Sequence, residues 1–206
     1  MKFILRRKRM ATESRDTVVS VTQNILIKLY STSEYSSGKA LLAKIRNSIG
    51  KPISEAPEIW PLLFENLPEE FLGRGEHASK EELAILTAIQ LFALNIQGNT
   101  KGLERPEARN RKNLGFFLRQ IRDPENSISL DRRFNAMITS TTFDELSNHL
   151  RHMIKLFKSK TPNVLIDYVK LADDLYWYLI GKEEKVRLSW ARDYYRFSKK
   201  GDNNNE

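Results

Sequence analysis

Residues 79–98 read "SKEELAILTAIQLFALNIQG", and this stretch decides the fold class. Ser79 followed three residues later by Glu82 is a capping box, and Gly98 supplies a stop at the other end. From Leu83 to Ile96 the only polar side chains are Thr87, Gln90 and Asn95. A helix that is apolar nearly all round cannot face water, so the spacing predicts a buried helix at the centre of the N-terminal half.

Working outward, the same helical period recurs. Val18, Val21, Ile25 and Leu29 form one apolar stripe; Leu41, Leu42, Ile45 and Ile49 form a second, ended by Gly50 and Pro52. Residues 53–75 hold Pro57, Pro61, Pro68 and two glycines, which predicts short turns rather than one helix. No run alternates β-branched and aromatic residues as a strand would. The expected fold class is all-α, two helical bundles joined by a short linker. Residues 1–12 are expected as a disordered basic leader, 13–124 as the N-terminal helical domain, 128–198 as a C-terminal four-helix bundle and 199–206 as a polar tail. The polar, basic stretch 98–112 is expected as a mobile loop before a helix over 113–122. "DPENS" at 123–127 marks the expected boundary. Beyond it, helices are predicted near Ser129, after the capping box Thr142 to Glu145, after Thr161-Pro162 and after Gly181.

Composition removes several chemistries. The chain of 206 residues has no cysteine, which excludes disulfides, thiolate zinc sites and cysteine nucleophiles. That fits a cytoplasmic setting. Phe3-Ile4-Leu5 is too short for a signal-peptide apolar region. No Walker loop, GxSxG, GxGxxG or HExxH is present. His149 and His152 lack an evident third metal ligand. Asp173 and Asp174 are adjacent on a helix, about 100° apart, and do not converge as a two-metal nuclease requires; Asp174 is expected to pair with an arginine of the last helix. No enzyme, cofactor or metal is expected.

Charge carries more information. The chain has 34 basic and 26 acidic residues, a net charge of +8, which points to a polyanionic partner. Residues 1–10 hold five cations and no acid, and residues 38–51 hold four cations and no acid. Residues 101–122 hold seven cations against two acids, whereas 54–82 hold eight acids against two cations. Such segregation implies separate surfaces for separate partners.

"SLDRRFNAMI" at 129–138 is the sharpest local signal. If Ser129 or Asp131 caps this helix, Arg132 and Arg133 fall in its first turn, where the macrodipole disfavours cations. A phosphate docked there would reverse that cost by meeting both free backbone N–H groups and guanidinium forks. Pairing of Arg132 with Asp131 or another carboxylate is the rival. In the helix from Phe143, Arg151, His152, Lys155 and Lys158 lie opposite the apolar stripe, a pattern that an ordinary solvated helix also gives. Val186, Trp190, Tyr194 and Phe197 share helical spacing, so they are expected in the core rather than stacked on bases.

The ordered series "SGKALLAKIRNSIG", Ile59-Trp60-Pro61, "LAILTAIQLFALNIQ", "GFFLRQIR", "LDRRFNAMI", "LSNHLRHMIKLFK", "IDYVKLADDLYWY" and "SWARDYYR" resembles the CasB family, the small subunit of the type I-E CRISPR surveillance complex Cascade. The resemblance spans about residues 16–197. It implies a non-catalytic subunit in antiviral defense, a dimer within the assembly. Its expected partners are the guide RNA complex, the backbone and large Cascade subunits, target DNA and the displaced strand of the R-loop. By motif match it implies nucleic-acid contacts for Lys39, Lys44, Arg46, Arg119, Arg132, Arg133, Arg151 and Lys155. The alternative is a protein-only helical adaptor whose acidic 54–82 segment docks on a basic partner.

Overall fold

The computed structural model describes residues 2–75, 77–98, 109–123 and 125–196, with only the backbone over 2–16. The greater part of the expected 98–112 loop and the whole 199–206 tail lie outside the described residues. The fold is all-α, and among the described residues there is no strand, only an isolated bridge between Arg74 and His77. No helix among them is long and apolar enough to cross a membrane.

Helix α1 (Lys2–Thr32) buries Val18, Val21, Ile25 and Leu29, and α2 (Ser36–Asn47) buries Leu42 and Ile45. Gly50, at φ 83°, then turns the chain in a conformation that side chains with a Cβ disfavour. The proline-rich stretch folds as three short 3₁₀ turns, at Ile53–Glu55, Pro57–Ile59 and Glu69–Phe71, around the five-residue α3 (Trp60–Phe64).

Helix α4 (Lys80–Asn95) is the predicted central helix. Its capping box is complete: Ser79 Oγ accepts from the Glu82 backbone N–H at 2.9 Å, and Glu82 Oε2 accepts from that of Ser79 at 2.6 Å. From Ala84 to Asn95 every residue is buried. The two polar groups deepest along it are used: Gln90 Nε2 donates to the backbone carbonyl and hydroxyl of Ser48, each at 3.0 Å, and Asn95 Oδ1 accepts from the Tyr168 hydroxyl at 2.8 Å. Helices α1 and α2 flank it.

Helix α5 (Leu114–Arg119), capped by Asn113, is followed by α6 (Ile128–Ile138), α7 (Phe143–Lys160), α8 (Tyr168–Trp177) and α9 (Glu183–Tyr195). Helix α6 packs on α7, and α5 lies along α9. Close approach of that last pair rests on Gly115, where a Cβ would fall 2.0 Å from the Trp190 carbonyl oxygen. Helices α7 and α8 also pack on α4, and α8 packs on α1, so the buried apolar side chains of both halves join in one core.

Two helix starts differ from the sequence reading. Pro162 does not open α8. Residues 161–167 stay irregular, burying Leu165 and Ile166, and Asp167 caps the helix by accepting from the Lys170 backbone N–H at 2.9 Å. Arg111 holds that cap in place, donating to Asp167 Oδ1 at 3.0 Å and to Gln23 of α1 at 2.7 Å. Helix α6 starts earlier than expected, with Ser127 before its first residue. The α8–α9 junction does follow Gly181, which takes φ 81°.

Candidate nucleic-acid interface

The earlier start of α6 changes the meaning of its arginines. Arg132 and Arg133 are its fifth and sixth residues, beyond the first turn in which the dipole acts. Their position there carries no dipole penalty for a phosphate to reverse. Asp131, by contrast, lies near the positive pole and is engaged on both oxygens. Arg122 donates to Oδ1 at 2.8 Å and to Oδ2 at 2.9 Å, Tyr194 donates its hydroxyl at 2.7 Å, and Ser127 donates at 2.8 Å. The bidentate Arg122 guanidinium, supported by those hydroxyls, holds the Asp131 carboxyl well below the usual carboxylate range. Pairing of Arg132 with Asp131 is thereby ruled out. Both Arg132 and Arg133 are exposed, and among the described residues neither has an ionic or hydrogen-bonding partner.

A groove of about 560 Å³ runs between the turn after α2, α4 and α7. Lys51, from that turn, lines it together with Thr87, Gln90, Asp144, Ser147 and Arg151. Arg151 Nε and Ser147 Oγ are buried there without a hydrogen-bond partner. A donor left so costs roughly 1–3 kcal/mol unless a ligand or water completes it. Lys155, one turn along α7, is exposed.

Arg46 behaves differently. Its guanidinium turns inward and donates to the Ala93 carbonyl at 3.4 Å, while Lys158 Nζ donates to the Leu94 carbonyl at 3.1 Å and to that of Gln97. Two cations thus satisfy the end of buried α4, as its dipole favours. Burial lowers the Lys158 ammonium below its ordinary pKa, with Arg46 adding to the effect, and burial also lowers Arg46.

The remaining positions are scattered. Lys39 and Lys44 are exposed on α2, and Arg119 lies 5.3 Å from the Phe116 ring on α5. Sequence reasoning left Lys51 out of the site, although the run of four cations over 38–51 already included it.

The carboxylates weighed as a nuclease have an internal use. Lys170 donates to Asp173 at 2.9 Å and to Asp174 at 2.5 Å, and the Trp190 indole N–H donates to Asp174 at 2.7 Å. The last helix therefore supplies Trp190, not an arginine, to Asp174. Burial lowers the Lys170 pKa, but the two carboxylates outweigh it and leave that group above its usual value. Among the described residues no cluster of His, Asp and Glu could hold a metal. Val186, Trp190 and Tyr194 are buried, with Tyr194 stacked on Phe134 at 3.8 Å, so those aromatics belong to the core as expected; Phe197 lies outside the described residues.

A family model described as CRISPR-associated protein Cse2 matches residues 41–195, more than half of the chain. Two solved structures are similar in fold. One is the crystal structure of CasB from Thermobifida fusca, with 22% identity, a TM-score of 0.69, and 87% of this chain and 98% of that chain covered. The other belongs to a CRISPR RNA-guided surveillance complex, with 18% identity, a TM-score of 0.63, and coverage of 86% and 92%. No curated protein matches the sequence.

Proposed function

This chain belongs to the family of CRISPR-associated protein Cse2, and from that premise we propose that it is a non-catalytic, nucleic-acid-binding subunit of a type I-E Cascade complex. In this reading it works in the cytoplasm as one of two copies beside the backbone and large subunits. It contacts phosphates of the target DNA and of the displaced strand, and so stabilises the R-loop in antiviral defense. The observation that carries the reading is the pair of exposed, unpartnered guanidinium groups of Arg132 and Arg133 on one helix. The half-buried Arg151, whose Nε has no hydrogen-bond partner and which lines one groove with Lys51, supports it. Arginine forks match phosphate oxygens and hold a strand without reading its bases, which suits an assembly whose guide RNA does the reading. Lys39, Lys44, Arg119 and Lys155 add to the field that attracts the strand; Arg46 contributes through the end of α4.

The test is fluorescence anisotropy of a labelled single-stranded oligonucleotide against the whole protein, titrated with salt. Contacts to about four to six phosphates give a log–log slope of roughly −3 to −4. Arg132→Glu/Arg133→Glu weakens binding equally for unrelated sequences and flattens the slope. An unchanged slope removes these arginines from the interface. Absence of binding even at low salt leaves the protein-only adaptor reading.

A further inference from the structure

The acidic stretch between α2 and α4 carries a built groove that the nucleic-acid reading does not use. Trp60, Phe64 and Leu72 stay 37%, 40% and 39% exposed, and all three line one pocket of about 490 Å³ with Ile53, Gly73 and His77. Its walls are fixed. The Trp60 indole N–H donates to the Ile53 carbonyl at 2.8 Å, and the Phe64 ring lies 6.2 Å from that of Trp60. On the far side Ser79 Oγ donates to the Phe71 carbonyl at 2.5 Å, and Gly73 packs so closely that a Cβ would fall 2.2 Å from the His77 carbonyl oxygen. Apolar walls held this way are preformed to take an apolar side chain and remove it from water.

The surrounding charge fixes the chemistry of the occupant. Residues 54–82 hold eight acids against two cations in a chain whose net charge is +8. Glu55, Glu65, Glu69 and Glu70 are exposed, and among the described residues none has an ionic partner. Such a surface repels a phosphate strand and attracts cationic flanks. We infer that this groove docks a segment of a partner protein in which an apolar side chain is flanked by lysine or arginine. Docking in this groove does not depend on whether the basic surface binds nucleic acid.

The probe is a labelled peptide of that chemistry, KFILRRKRM, taken from residues 2–10 of this chain, with KGGGRRKRM as the version lacking the apolar anchor. Anisotropy against the whole protein gives saturable binding of the first peptide, roughly tenfold weaker binding for Trp60→Ala or Leu72→Ser, and weak binding of the second. Glu65→Gln/Glu69→Gln/Glu70→Gln leaves the packing untouched, so it tests the charge even where Trp60→Ala fails to fold; it lowers affinity several-fold and reduces its salt dependence. Equal binding of both peptides, or indifference to these substitutions, overturns the inference in favour of unspecific charge attraction. Self-association in the ultracentrifuge that is lost with Trp60→Ala also overturns it, by making a second copy the occupant. Oligonucleotide affinity is unmoved by Trp60→Ala and Leu72→Ser, which change no charge, and this keeps the result separate from that of the Arg132→Glu/Arg133→Glu protein.

Discussion

Among single residues, Asp131 is the one on which most converges. Its carboxylate joins Arg122, Ser127 and Tyr194, thereby tying the segment after α5 and the end of α9 to the start of α6. Asp131→Asn keeps the shape but leaves the Arg122 guanidinium half-buried without its counter-charge, at a cost of about 2–3 kcal/mol. That corresponds to a fall of roughly 4–9 °C in Tm. The pH dependence has a definite sign. Because Arg122 depresses the folded-state pKa of Asp131, the stabilisation is fully present above the unfolded value of about 3.9 and is lost as pH falls through the lower folded value. Urea midpoints of the two proteins therefore differ at pH 7, begin to draw together below about pH 3.9 and meet only once pH passes the lower folded-state value; a gap that does not narrow in this window would show that the pair is not the cause. Legibility of the site in the sequence divides along the same line. Arg132 and Arg133 read as unusual cations because a cap at Ser129 or Asp131 would set them at the positive pole of the helix, and the start of α6 at Ile128 removes that premise. That Arg122 takes Asp131, and that Arg46 turns to the Ala93 carbonyl 47 positions away, depends on tertiary neighbours that no local pattern encodes.

Helices were legible where a local signal and a tertiary one agree. The capping box at Ser79 and the apolar run behind it require the same buried helix, and Gly181 breaks α8 from α9 because it alone of its neighbours tolerates φ 81°. Starts were illegible where several capping residues compete. Ser127, Ser129 and Asp131 are all of capping type, and the choice among them falls to Arg122, which holds Asp131 inside the first turn. Likewise Pro162 suits a first helical position, yet burial of Leu165 and Ile166 keeps the chain irregular until Asp167. The α5–α9 contact supplies a test at this scale. Gly115→Ala adds a methyl against the Trp190 backbone, which cannot swing aside as a flexible side chain could. Overpacking of this kind costs about 1–3 kcal/mol, more than the roughly 0.5–1 kcal/mol that alanine gains over glycine within a helix. Chemical denaturation should therefore show net destabilisation, and a more stable variant would mean that α5 and α9 sit further apart.

Viewed as a whole molecule, the chain places its chemistry on opposed kinds of surface around a shared core. Cations gather on α2, α6 and α7, acids on the turns between α2 and α4, and α4 packs against α2, α7 and the last of those turns. That arrangement depends on α8, which buries Tyr168, Leu171 and Leu175 against α1 and α4. Tyr168 alone meets Phe92 edge-on at 5.8 Å and donates to Asn95 at 2.8 Å. A C-terminal piece cut at residue 128 would expose this face to water while retaining the conformational cost of ordering it, so it lacks the core that an independent domain needs. Calorimetry of the whole chain should then give one transition with equal calorimetric and van't Hoff enthalpies. The isolated 128–198 fragment should give no cooperative transition, and addition of residues 1–127 should restore one. Two resolved transitions in the whole chain, or a cooperative melt of the fragment alone, would mean that the two helical bundles fold independently and that contacts across α4 and α8 contribute little. Cooperative behaviour instead makes the acidic groove and the basic helices parts of one folding unit, held together by the contacts of α8 with α1 and α4.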